Sequence, residues 1–168
     1  MVKFEFLERK KGVQYLLVID MQEDYVGEKR DSKRYAYDTK KIISGINQRI
    51  LQYPPESVIY ITNKFFWEVG STSKMLVNGL NIVSSNVYMK KKSSALSNVM
   101  LLQNLRKMNI TSLELVGVDG NYCIAKTALE GIKKGFTILC NECCIGASDK
   151  TKFERTKLAL SKKGVQFI

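Results

Sequence analysis

The sequence predicts a three-layer α/β/α domain built on a doubly wound, six-stranded, mostly parallel sheet. Three observations predict it: six short apolar runs recur along the chain, segments with helical spacing lie between them, and glycine, proline or cap residues punctuate the joins. Runs that stay apolar without alternating are strands covered on both faces, as parallel strands flanked by helices are. Parallel strands need long crossovers, and right-handed helical connections supply them.

The elements follow in order. The first run, Val13 to Ile19, leads straight into Asp20. Ile43, Ile46 and Ile50 then share one helical face, and Pro54-Pro55 ends that helix. Val58 to Ile61 is the second strand; Val87 to Met89 is the third and runs into Lys90. Ala95, Val99, Leu102 and Leu105 carry the next helical stripe, followed by the fourth strand, Leu113 to Val118. A turn, Asp119-Gly120-Asn121-Tyr122, enters a helix at Cys123 whose buried face holds Ile124, Ala128 and Ile132, with Gly135 placed to close it. Phe136 to Cys140 is the fifth strand, Asp149 and Gly164 bracket a last helix, and Val165 to Ile168 is the sixth strand.

Composition fits this and removes several function classes. A chain of 168 residues, 45% hydrophobic and 26% charged, is the size of a single domain, residues 1–168. No apolar run nears the roughly 20 residues of a membrane span, so no membrane partner is expected. Charges of both signs interrupt Met1-Val2-Lys3-Phe4-Glu5-Phe6-Leu7-Glu8-Arg9, unlike a secretory signal, and the expected compartment is the cytoplasm. With no histidine, there is no imidazole base, no Ser-His or Cys-His pair, and no use of the commonest metal ligand.

The four cysteines, Cys123, Cys140, Cys143 and Cys144, read as free thiols in a reducing compartment. Cys140 and Cys143 form a lone C-x-x-C with no second pair to complete a zinc site, and small side chains buried after a strand explain it as well. A thiol redox function at Cys143-Cys144 is a third possibility. The net charge of +11 invites a nucleic-acid partner, yet Arg9-Lys10-Lys11, Lys40-Lys41, Lys90-Lys91-Lys92, Lys133-Lys134 and Lys162-Lys163 are short and scattered. They read as solvated surface, and no nucleic-acid partner is expected.

In doubly wound sheets the ligand crevice lies beyond the carboxyl ends of the strands. Three reactive side chains fall there: Asp20 after the first strand, Lys90 after the third, and Cys123 after the turn that follows the fourth. A thiol at a helix N-terminus near an ammonium is expected to have its pKa lowered, and so to alkylate ahead of the other three thiols. An aspartate beside it can take the thiol proton and return it to a leaving amine. Backbone N–H groups of the turn can hold an oxyanion. Each residue also has a plainer reading: a buried cysteine, a capping aspartate, a surface lysine within a lysine run.

At these positions the sequence resembles the isochorismatase-like superfamily of cysteine hydrolases, which includes nicotinamidases, N-carbamoylsarcosine amidase and isochorismatase. The resemblance runs from about residue 13 to 168. It rests on Leu16-Leu17-Val18-Ile19-Asp20-Met21-Gln22, on Lys90 with Ser94-Ala95-Leu96 four residues on, and on Gly117-Val118-Asp119-Gly120-Asn121-Tyr122-Cys123-Ile124-Ala125-Lys126-Thr127-Ala128. It implies a strand order 3-2-1-4-5-6, a catalytic triad of Asp20, Lys90 and Cys123, and a non-proline cis bond at Val118-Asp119. The N–H groups of Asp119 and Cys123 would then form the oxyanion hole. It also implies a homo-oligomer, dimer or tetramer. Nicotinamidases of the family hold a metal with Asp and His ligands after the second strand, where this chain has Asn63-Lys64-Phe65-Phe66-Trp67-Glu68. No metal and no cofactor are therefore expected. Isochorismatase lacks the nucleophilic cysteine, so Cys123 favours C–N over ether cleavage.

The expected function is a metal-independent cysteine hydrolase cleaving a C–N bond of a small amide or carbamoyl-type substrate through a thioester. Gln22, Tyr25, Asn63, Phe65, Phe66, Trp67 and Tyr122 are the expected pocket residues, with Phe65, Phe66 and Trp67 equally able to anchor a loop or an interface. The rival from another class is a non-catalytic binding or interaction module on the same scaffold.

Overall fold

The computed structural model describes residues 14–64 and 75–168. Six strands form one sheet: β1 (Gln14–Ile19), β2 (Val58–Asn63), β3 (Val87–Lys90), β4 (Ser112–Val118), β5 (Thr137–Gly146) and β6 (Gln166–Phe167). Their order is β3-β2-β1-β4-β5-β6 and every pairing is parallel. The order reverses between β1 and β4, which places the switch point at the strand that Asp20 directly follows. The helices are α1 (Glu23–Val26), α2 (Thr39–Ile50), α3 (Val99–Lys107), α4 (Cys123–Lys133) and α5 (Lys150–Ser161). None among the described residues is long and apolar enough to cross a membrane.

Two apolar layers cover the sheet. Leu17, Ile19, Ile59, Ile61, Leu113 and Leu115 face one layer, where α3, α4 and α5 contribute Leu101, Leu105, Ile124, Ala128, Phe153 and Leu160. Leu16, Val18, Val58, Tyr60, Val116 and Val118 face the other, against Ile42, Ile46 and Ile50 of α2. Successive strand residues thus serve opposite layers, which is why the strands read as unbroken apolar runs. Burying one such aliphatic side chain contributes about 1.5–3 kcal/mol.

The structure corrects three expected boundaries. The stripe beginning at Ala95 is not one helix: Ala95–Ser97 is a 3₁₀ turn and α3 starts at Val99. Ser94 and Asn98 each accept a backbone N–H, from Leu96 and Leu101, so two caps four residues apart restart the chain and shift its phase. Leu101 and Leu105 are the buried residues, while Val99 is 64% exposed. Second, β5 continues past Cys140 to Gly146, because the register slips from Leu115 opposite Cys140 to Gly117 opposite Ile145. Polar Asn141 and Glu142 lie in that slip and hid the strand's second half. Third, β6 is confined to Gln166–Phe167. Gly117, beside the slip, has φ +120° and a Cβ there would stand 2.0 Å from the Ile19 carbonyl oxygen, so only glycine fits between β4 and β1.

One buried charge breaks the apolar pattern. Glu114 in β4 is fully buried, and Arg49 of α2 meets it with two hydrogen bonds, 2.7 Å to Oε1 and 2.5 Å to Oε2. The Tyr53 hydroxyl donates at 2.6 Å, Gln14 Nε2 at 3.3 Å and Asn141 Nδ2 at 3.2 Å. This network ties α2 to the centre of the sheet, away from its carboxyl rim.

Candidate active site

Asp20, Lys90 and Cys123 come from three different elements and meet at the carboxyl rim. Asp20 follows β1 with φ +55°, a left-handed conformation that aspartate tolerates better than most residues, and its N–H donates to the Ile61 carbonyl. Lys90 ends β3 in register with Asn63. Its Nζ lies 3.0 Å from Asp20 Oδ2 and 3.3 Å from Cys123 Sγ. Exposure is only 3% for Asp20, 1% for Lys90 and 8% for Cys123, so the group is largely removed from water. Lys91 and Lys92, by contrast, are exposed. Two of the sequence motifs are bolted together directly: the Ala95 N–H donates to Thr127 Oγ1 at 2.9 Å, joining the segment after Lys90 to α4.

The thiol departs from expectation. Burial, helped by the Asp20 carboxylate, pushes Cys123 up to about 12, and the Lys90 ammonium only partly opposes them. The α4 N-terminus and one cation do not offset desolvation next to an anion. The resting site is therefore a neutral thiol beside an Asp20–Lys90 ion pair, and Cys143, the exposed thiol, replaces Cys123 as the expected first site of alkylation. All four cysteines are free. Burial likewise pushes Cys140 up to about 12 and Cys144 to about 11.

A pH prediction arises from these three thiols. Their folded pKa values lie above the ordinary 9.0, so the folded state holds their protons more tightly than the unfolded chain does. Their contribution to stability is whole below pH 9 and is lost as pH rises towards 12. Thermal melts across that interval are expected to show a falling Tm, less steep in Cys140→Ala after allowance for its own lower starting value.

The turn ahead of Cys123 is tightly bonded. The Val118–Asp119 peptide is cis, as the resemblance implied. The Asp119 carbonyl accepts the N–H groups of Tyr122 and Ile124, both at 3.1 Å, and Gly120 N–H donates to Gly146 at 2.8 Å. Among the described residues, the N–H groups of Asp119 and Cys123 find no acceptor. Tyr122 provides no side-chain cap to α4, so the first N–H of that helix remains available to a ligand.

The other expected pocket residues are distributed differently. Gln22 and Asn63 are buried and bond to each other: Asn63 N–H donates to Gln22 Oε1 at 2.7 Å, and Gln22 Nε2 to the Asn63 carbonyl at 3.4 Å. They brace the ends of β1 and β2. Tyr25 is buried edge-on against Tyr35. Tyr122 is 53% exposed and carries Lys152 Nζ over its ring at 4.5 Å. Phe65, Phe66 and Trp67 lie outside the described residues.

Sequence reasoning missed the surroundings of Asp119. Its carboxylate accepts from the Tyr37 hydroxyl at 2.9 Å, Ser148 N–H at 2.9 Å, Ser148 Oγ at 2.8 Å and Asn121 N–H at 2.7 Å. Tyr37 stands in a polar loop with no period, and Ser148 directly precedes the Asp149 cap; neither carries a local signal.

A parallel sheet ordered β3-β2-β1-β4-β5-β6, with reactive groups at its carboxyl rim, defines the class of doubly wound, three-layer α/β domains that bind ligands at that rim. Residues 14–167 match the family model of the isochorismatase domain, and the chain belongs to the isochorismatase family. Among solved structures, it is similar to an isochorismatase-like hydrolase from Alkaliphilus metalliredigens, with a TM-score of 0.79, 18% identity and 92% of each chain covered. It is also similar to the Acinetobacter baumanii nicotinamidase/pyrazinamidase, with a TM-score of 0.77, 20% identity and 95% and 97% of the two chains covered. The pyrazinamidase of Pyrococcus horikoshii in complex with zinc gives a TM-score of 0.70 at 19% identity, with 92% and 98% covered. At these identities the likeness is one of fold. No curated protein matches the chain by sequence.

The last of these neighbours holds zinc, and this chain lacks the residues for it. The chain has no histidine, and β2 ends in Thr62 and Asn63, followed by Lys64. Among the described residues, no group of three or more His, Cys, Asp or Glu side chains could hold a metal ion. An amide, an ammonium and aromatic rings are poor donors for zinc. The residues at the end of β2 do not fit the metal.

Proposed function

We propose that the protein is a metal-independent cysteine hydrolase that cleaves a C–N bond of a small amide or carbamoyl-type substrate. The single observation that carries this reading is the placement of Lys90 Nζ within 3.0 Å of Asp20 Oδ2 and 3.3 Å of Cys123 Sγ. Because the resting thiol is neutral, the first step is a concerted one. Asp20 takes the Sγ proton as sulfur attacks the substrate carbonyl carbon. The carbonyl oxygen gains the negative charge and accepts hydrogen bonds from the Asp119 and Cys123 N–H groups.

Lys90 lies between the two reacting groups, holds the Asp20 carboxylate in place and offsets the charge that passes to sulfur. Collapse of the tetrahedral intermediate breaks the C–N bond, and the amine leaves with the proton held by Asp20. Water then attacks the thioester, giving its proton to Asp20; the acid departs and sulfur regains its hydrogen. Every step uses groups of this chain, and none is routed through a metal.

The same reading assigns a single domain over residues 1–168 and a cytoplasmic location, which suits four free thiols. It also assigns a homo-oligomer, supported by the exposed Val87, Met89, Val99 and Met100 along β3 and the start of α3.

The test is amine release from a panel of primary amides and N-carbamoyl compounds, run with a chelator in excess. Wild type is expected to turn over at least one class and Cys123→Ala none. Turnover abolished by chelation, or retained in Cys123→Ala, would overturn the proposal. Silence across the panel would favour the non-catalytic binding module.

A further inference from the structure

We infer that Tyr37 and Ser148 are positioning residues for the oxyanion-binding turn, acting through the Asp119 carboxylate; the inference rests on the hydrolase reading above. Asp119 is buried, yet its two oxygens accept four hydrogen bonds: Oδ2 from the Tyr37 hydroxyl, the Ser148 N–H and the Ser148 hydroxyl, and Oδ1 from the Asn121 N–H. Three stretches far apart in sequence converge on one side chain: the loop before α2, the turn after β4 and the segment after β5. A bond of 2.8 Å from Asn121 Nδ2 to the Asp149 carbonyl and one of 2.7 Å from Thr156 Oγ1 to Asn121 Oδ1 tie the same turn to α5.

The clamp has two consequences for catalysis. The first is geometric. With the Asp119 carbonyl and the Gly120 N–H already engaged and the carboxylate fixed from three sides, the Asp119 and Cys123 N–H groups keep their direction without needing substrate. Preorganised donors of this kind do not have to reorient as charge develops.

The second is electrostatic. An aspartate at this position sets a negative charge close to the oxygen that becomes an oxyanion, which by itself opposes the reaction. Four donors, three of them from Tyr37 and Ser148 on Oδ2, stabilise that charge on the carboxylate and weaken its field at the oxyanion. Tyr37 is suited to the task, because burial and the neighbouring carboxylate raise its pKa far above 10.0, so it remains a hydroxyl donor across the neutral range.

The variants are Tyr37→Phe and Ser148→Ala, and three readouts separate positioning from general support. These are steady-state kinetics on the best amide, affinity for the aldehyde analogue of that amide, and the rate at which iodoacetamide alkylates Cys123 at alkaline pH, followed peptide by peptide. The aldehyde forms a thiohemiacetal whose oxygen needs the N–H pair, whereas alkylation needs only the thiol. Tyr37→Phe is expected to lower kcat on the order of tenfold with KM nearly unchanged, and to weaken the aldehyde in parallel. Cys123 alkylation is expected to match wild type.

Unchanged kcat in both variants would overturn the inference, and so would alkylation falling in step with kcat, since that marks a collapsed site. If wild-type protein turns over no amide, the hydrolase reading itself has failed. If wild type is active and Cys123→Ala is not, while both clamp variants behave as wild type, only this inference has failed.

Discussion

Exchanging Asp20 for asparagine is expected to lower kcat/KM by roughly 10⁴ while leaving the site's shape intact, because an amide cannot take the thiol proton or return it to the amine. The large figure follows from the state of the sulfur. Burial and the Asp20 charge hold Cys123 up to about 12, so the thiolate is scarce near neutrality and forms only as a base removes its proton. Had the thiolate been preformed, loss of the carboxylate would cost far less in the attack step. Lys90→Met is expected to cut activity as well and also to destabilise the fold by about 3–5 kcal/mol, since it leaves the buried Asp20 carboxylate without the cation 3.0 Å away. Steady-state kinetics and denaturant titration check the two effects separately; an Asp20→Asn enzyme within tenfold of wild type would contradict the assignment of the base.

The second large effect concerns stability alone. Arg49→Ala is expected to cost about 3–5 kcal/mol, because Glu114 is wholly buried and would lose both guanidinium bonds. Tyr53, Gln14 and Asn141 still donate to it, but none supplies a positive charge. The double variant Arg49→Met with Glu114→Leu is expected to recover most of the loss, since replacing a buried ion pair with apolar side chains of similar volume is often neutral. Urea unfolding measures all three proteins. A single variant as stable as wild type would mean that Glu114 is satisfied without the arginine. The network lies away from the rim, so kcat of the folded variants is expected to be unchanged.

Much of this architecture is legible in the sequence alone. Parallel strands between helices bury both faces, so Leu16 to Ile19, Val58 to Ile61 and Leu113 to Val118 announce themselves by unbroken apolar character. The rim followed from the same logic: in such sheets Asp20 and Lys90 sit where their strands end, and Cys123 where its helix begins. What escaped had no local signature. The slip in β5 depends on the pairing of Leu115 and Gly117 with a neighbouring strand, and two polar residues masked it. The break at Asn98 depends on which of two caps wins, a matter that helical spacing alone does not decide.

The thiol's environment was misjudged for a similar reason. A helix N-terminus and a lysine can be read from the sequence, but the depth of burial that overrides them is a property of the packed fold. The Asp119 clamp is the clearest case of distance. Tyr37 is 82 positions from the carboxylate it meets, and nothing near it in the chain reports the encounter.

Mass analysis of enzyme quenched with acid during steady-state turnover of the best amide tests the account most directly. The expected result is a single acyl group on the peptide bearing Cys123, lost on brief treatment with hydroxylamine and absent from Cys123→Ala. Turnover that proceeds with no acyl group on that sulfur, or with one carried by Cys140, Cys143 or Cys144 instead, would contradict it.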